Sequence, residues 1–94
     1  MTNKQKVQKM ITEVSKESGN NYTLEGYDAT LNYFSDYQLS VIKEALSQGT
    51  NTDLRFTIKN VTIILRITFT GYEIDFYAMD LAEYKEEYEG IFDN

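Results

Sequence analysis

Apolar and polar positions along the chain fall into two periods, and those periods mark its elements. Val7, Met10, Ile11 and Val14 recur at i, i+3, i+4 and i+7, which predicts an amphipathic helix over 3–18. Asn3 stands where a cap is needed, and Gly19 is placed to stop the helix. A second helix is predicted over 35–48. Ser35 and Gln38 have capping-box spacing, Phe34 and Leu39 that of a hydrophobic staple, and Leu39, Ile42, Ala45 and Leu46 form the inward stripe before Gly49. A third helix is predicted over 80–92, opened by Asp80 and Glu83 as another capping box, with Leu81, Tyr84 and Tyr88 on one side.

Between the second and third helices the period changes to two. Leu54, Phe56 and Ile58 alternate with Arg55, Thr57 and Lys59; Val61, Ile63, Leu65, Ile67 and Phe69 with Thr62, Ile64, Arg66, Thr68 and Thr70; Tyr72, Ile74, Phe76 and Ala78 with Glu73, Asp75, Tyr77 and Met79. Two-residue turns at Lys59-Asn60 and Thr70-Gly71 bring the first-named apolar set of each strand to one face. In that register Ile58 faces Val61, Phe56 faces Ile63, Phe69 faces Tyr72 and Leu65 faces Phe76. The predicted unit is a three-stranded antiparallel meander over about 53–79. Tyr27, Ala29, Leu31 and Tyr33 also alternate, which adds a strand or hairpin within 22–33. The fold class is α+β, and 1–94 form a single domain.

Composition narrows the chemistry. The chain has no Cys and no His, which removes disulfides, thiolate nucleophiles, cysteine-bound zinc and the usual general base. MTNKQKVQKM carries no apolar core of the signal-peptide kind, and no run of about 18 apolar residues occurs, so a cytoplasmic protein is expected. Two glycosylation sequons, at Asn21 and Asn60, are read as chance in that context. Charge is polarised. Residues 1–18 carry four Lys and two Glu (+2), 19–71 five acids and four bases (−1), and 72–94 eight acids and one Lys (−7), which together make −6. Such a pole repels nucleic acid and attracts basic protein surfaces.

Catalysis would have to come from carboxylates or tyrosines. Glu73 and Asp75 share a strand face about 7 Å apart, but the predicted register sets Asp75 opposite Arg66, which also lies opposite Asp53. Ion pairing lowers a carboxylate's pKa, the wrong direction for a general acid. Glu83 and Glu87, one helical turn apart, could share a hard cation, yet no calcium-loop sequence frames them. No metal or cofactor is expected, and the chain is read as a non-enzyme.

Helix, three antiparallel strands and helix over 35–94 resembles the order of elements in double-stranded-RNA-binding domains, which meet phosphates with lysines at the start of the final helix. Here that position reads Asp80-Leu81-Ala82-Glu83. The resemblance therefore implies topology alone, without direct nucleic-acid binding.

Protein binding is the class that remains. The outer sheet face carries Ile64, Tyr77 and Met79 beside Glu73, Asp75 and Arg66, and the last helix adds Glu83, Glu86, Glu87 and Glu89. Cover by the first helix or the 22–33 segment is the competing reading for the apolar three. In size, acidity, tyrosine content and lack of catalytic chemistry the chain resembles, as a type, the DNA-mimic and anti-CRISPR inhibitors of phages and mobile elements. That resemblance implies a basic, nucleic-acid-binding enzyme as partner. Glu73, Asp75, Glu83, Glu86, Glu87 and Glu89 would stand in for phosphates, with Tyr77 as aromatic anchor. The alternatives are an immunity protein or antitoxin facing a basic toxin, and a structural subunit that self-associates, as a homodimer for example.

Overall fold

In the computed structural model, residues 1–92 are described, with side chains through residue 87. Three helices and four strands follow one another as α1 (Asn3–Ser18), β1 (Thr23–Gly26), a 3-10 turn (Ala29–Tyr33), α2 (Asp36–Ser47), β2 (Thr52–Ile58), β3 (Val61–Thr70), β4 (Glu73–Asp80) and α3 (Leu81–Phe92). The strands form one sheet in the order β1-β4-β3-β2. β2, β3 and β4 are the expected antiparallel meander, and β1 joins β4 in parallel.

Both predicted helical stripes are buried. Val7, Met10, Ile11 and Val14 of α1 and Leu39, Ile42 and Leu46 of α2 share a cluster with Phe56, Ile58, Leu65, Ile67, Ile74 and Phe76 of the sheet. Both helices therefore cover the same sheet face. Ser35 and Gln38 make the reciprocal capping box at α2. At α1 the cap is Thr2, boxed with Gln5, and Asn3 has a different task. Its side-chain amide donates to the Leu31 carbonyl at 2.7 Å and the Phe34 carbonyl at 3.0 Å, tying the start of α1 to the 3-10 turn. Thr2 outcompetes Asn3 because the hydroxyl one residue earlier reaches the third amide of the helix.

The β2–β3 hairpin has the expected register, Ile58 opposite Val61 and Phe56 opposite Ile63. Lys59 and Asn60 both have positive φ (50° and 65°), the signature of a type I′ turn. The second hairpin differs from expectation by two residues. Thr70 pairs with Glu73, Phe69 with Ile74, Leu65 with Ala78 and Ile67 with Phe76, so the turn is Gly71-Tyr72. Gly71 takes φ 61° at the first turn position. A turn at Thr70-Gly71 would ask β-branched Thr70 for positive φ, which its side chain resists. An even shift preserves the faces but changes the partners. Arg66 now lies opposite Tyr77 and Asp75 opposite Thr68. Tyr72, expected opposite Phe69, sits exposed in the turn.

The strand within 22–33 is shorter than the alternation implied. β1 ends at Gly26 with a bulge, and Ala29–Tyr33 wind into the 3-10 turn that buries Leu31. Asp28 explains the change. One carboxylate oxygen accepts the Thr30 amide at 2.9 Å and caps the turn, while the other accepts the Ala78 amide of β4 at 2.7 Å. The side chain thereby continues, past the end of β1, the hydrogen bonding that β4 would otherwise lose. Partial burial raises the Asp28 pKa, but the two backbone donors outweigh it and the net shift is downward.

A depressed folded-state pKa contributes stability that is present above the unfolded value and lost as pH falls through the folded one. Asp28→Asn keeps one acceptor and should cost about 1–2 kcal/mol at neutral pH. In chemical denaturation across pH 2–7 the gap between wild type and variant should close on the acid side. A gap that stays constant down to the lowest pH would show that the carboxylate charge plays no part.

Candidate protein-binding face

Alternation along β3 and β4 sends Ile64, Arg66, Thr68, Glu73, Asp75, Tyr77 and Met79 to the face turned away from α1 and α2. Ile64 and Met79 are cross-strand partners there, only 5% and 2% exposed, and both stand outside the main core cluster. The helix packed on β3 and β4 is α3. Ile64 and Met79 are thus covered, though by the last helix and not by α1 or the 22–33 segment, while Tyr77 stays exposed. Burying two such side chains is worth roughly 1.5–3 kcal/mol each, and this is the main force docking α3.

Polar contacts set where α3 lies. Asp80 caps it by accepting the Glu83 amide at 2.7 Å. Only that half of the expected capping box forms, because the Glu83 carboxylate turns to accept the Tyr77 hydroxyl. Further along, Arg66 donates to Asp53 through Nε (2.9 Å) and a terminal nitrogen (3.1 Å), and to Glu87 through the other terminal nitrogen (2.7 Å). One guanidinium therefore joins β2, β3 and α3. The two carboxylates hold Arg66 well above its already high ordinary pKa, so it stays charged throughout. These side chains are 24–47% exposed, so solvent screens the network and its net worth is about 1 kcal/mol. Apolar burial docks the helix, and Arg66 fixes its place.

The five predicted acids with described side chains separate into two groups. Glu83 and Glu87 are engaged with Tyr77 and Arg66. Glu73, Asp75 and Glu86 are exposed, with no ion-pair partner among the described residues. Asp75 lies across the β1 backbone, where a Cβ on Gly26 would fall 1.6 Å from its Oδ1, so glycine there makes room for the carboxylate. The Tyr77 ring is 46% exposed although its hydroxyl is committed. The side chains of Glu89 and Tyr88 lie outside the described part of the structure. Glu83 and Glu87, considered as a shared cation site, point to different partners, and no three carboxylates converge among the described residues. Asp28 and the second partner of Arg66 were not legible in the sequence. The only signal for either is an acid before a short helical turn, and a lone arginine amid apolar strand residues.

Tertiary structure also segregates the charged ends of the chain. α1, with Lys4, Lys6, Lys9 and Lys16, lies on one side of the sheet, and α3, with its glutamates, lies on the other. Lys6–Asp36 (2.7 Å) and Lys43–Glu13 (2.6 Å) bind α1 to α2 within the first side. The Lys43 pairing lowers the Glu13 pKa, and Glu13 in turn raises that of Lys43. No known family, curated protein or solved structure matches the chain. No helix among the described residues is long and apolar enough to cross a membrane.

Two variants test the docking of α3. Arg66→Ala should lower global stability by about 1 kcal/mol while speeding amide exchange in 83–87 more than in β3. Equal acceleration everywhere would show that Arg66 acts on the whole fold. The hydrogen bond to Glu83, followed by the charge of that carboxylate, raises the Tyr77 pKa above its ordinary value near 10. A raised folded-state pKa contributes stability below the unfolded value and loses it as pH climbs. Above pH 10 wild type should therefore lose stability faster than Tyr77→Phe. Parallel pH profiles would rule that contribution out.

Proposed function

We propose that this chain is a non-enzymatic inhibitor that docks its α3 side on a basic, nucleic-acid-binding enzyme in the cytoplasm. What supports this reading above all is the segregation of charge across the sheet. Residues 72–94 carry eight acids and one Lys, and the sheet keeps α3 on the side away from the lysines of α1. An electrostatic dipole of that kind orients the molecule before contact and speeds encounter with a positive groove. Glu73, Asp75 and Glu86 are the acids free to meet arginines and lysines on the partner. The half-exposed Tyr77 ring offers contact area without loss of the hydroxyl's hydrogen bond. Glu83 and Glu87 act at one remove, by holding the helix that carries the face. The absence of His and Cys from the chain narrows the catalytic alternatives, and no cofactor enters this reading.

Affinity capture from host lysate with a salt-gradient elution would identify the partner. With it in hand, Glu73→Lys/Asp75→Lys/Glu86→Lys should weaken binding at least about tenfold, 1.4 kcal/mol, at low salt and flatten the salt dependence. Lys9→Glu on the opposite side should leave affinity within about twofold. Undiminished binding by the triple variant would remove this face from the interface.

A further inference from the structure

The two edges of the sheet are treated differently. β1 is four residues long, bulged, and followed by Asp28, all of which suit an edge that admits no further strand. β2 is seven residues long and regular, and the chain contains no proline to blunt it. A two-residue hairpin loop is flanked by a hydrogen-bonded pair, so Ile58, Phe56, Leu54 and Thr52 turn their backbone groups toward β3. Thr57, Arg55 and Asp53 turn theirs outward. The Thr57 carbonyl confirms this parity, since it accepts the Gln38 side chain of α2 at 3.2 Å. The outward amides and carbonyls of Asp53 and Arg55 form no such cross-element hydrogen bond among the described residues.

Charged residues on an edge commonly guard against pairing. Here their spacing has the opposite consequence for one occupant, a second copy of the chain. Two β2 strands meeting antiparallel about a dyad at Leu54 place Asp53 of each opposite Arg55 of the other. A dyad at Asp53 or at Arg55 would set like charges against each other, and a dyad at Phe56 would set Arg55 against Thr57. Arg55 is exposed and has no ion-pair partner among the described residues. On the opposite face the same register brings the half-buried Leu54 against its own copy.

From this we propose that β2 is a self-pairing edge, joining two copies into one continuous eight-stranded sheet through antiparallel Asp53–Arg55 contacts about Leu54. The interface is isologous, with residue 53 meeting 55 and 55 meeting 53. About four backbone hydrogen bonds form, from two hydrogen-bonded residue pairs. Antiparallel pairing keeps corresponding faces on the same side, so both α3 helices project from one side of the joined sheet. The contact lies two strands away from β4 and does not depend on what the acidic face binds.

Sedimentation equilibrium over a concentration series, with amide exchange at each end of it, tests the proposal on the full chain. Wild type should move from a 10.9 kDa monomer toward twice that mass up to about 1 mM. The amides of Asp53 and Arg55 should slow with concentration while those of Leu54 and Phe56, already bonded to β3, do not. Arg55→Glu at this exposed position should raise the dimer dissociation constant at least about tenfold, and Arg55→Lys should preserve it. Glu73→Lys/Asp75→Lys/Glu86→Lys should leave it unchanged, which separates this contact from the acidic face. A monomer at every concentration would overturn the proposal, as would a dimer indifferent to Arg55→Glu or one whose 53 and 55 amides exchange freely.

Discussion

Ile64 and Leu65 are neighbours in the chain, point to opposite faces of β3, and are both buried. A strand with that property cannot sit on the surface of a two-layer fold. It needs cover on each side, and this protein supplies α1 and α2 on one face and α3 on the other. Everything at the acidic end follows from that requirement. α3 has to lie over Ile64 and Met79, so Glu83, Glu86 and Glu87 are carried on the side of the sheet away from the lysines of α1.

Magnitudes decide which contacts build this layer and which only tune it. Two buried aliphatic side chains outweigh a partly exposed arginine network by a factor of several. Arg66 matters for position, because its planar donors meet Asp53 and Glu87 at once and so relate α3 to both β2 and β3. Tyr77 and Glu83 make the corresponding contact nearer the helix start. The carboxylates of this face thus have two kinds of work. Some hold the helix, and others stand exposed with no ion pair among the described residues. A uniform acidic surface would not separate these roles, and charge reversal at the two sets has different consequences.

Much of the fold was legible in the order of residues. The helical stripes of Val7, Met10, Ile11 and Val14 and of Leu39, Ile42 and Leu46 became the buried faces of α1 and α2, and period-two alternation placed the correct side of all three meander strands toward them. Ser35-Gln38 and Gly19 acted where their neighbours predicted. The second hairpin shows where such reading stops. Parity alone admits registers that differ by two, and the choice between them came from the unwillingness of Thr70 to take the φ that Gly71 accepts. That choice moved Arg66 from Asp75 to Tyr77 and freed Asp75 for the candidate face.

What the sequence determined by itself was therefore the set of elements, their inward faces and the acidic bias of the last 23 residues, since periodicity, capping and charge are properties of residues close together in the chain. Tertiary structure alone decided that Asp28 would complete the β4 edge 50 residues away, that Arg66 would reach Glu87, 21 residues on, and that α3 would cover the outer face. Those contacts join groups whose separation in sequence carries no period. A carboxylate before a short turn has many amides it could accept, and only the packed sheet leaves one of them, at Ala78, within 2.7 Å.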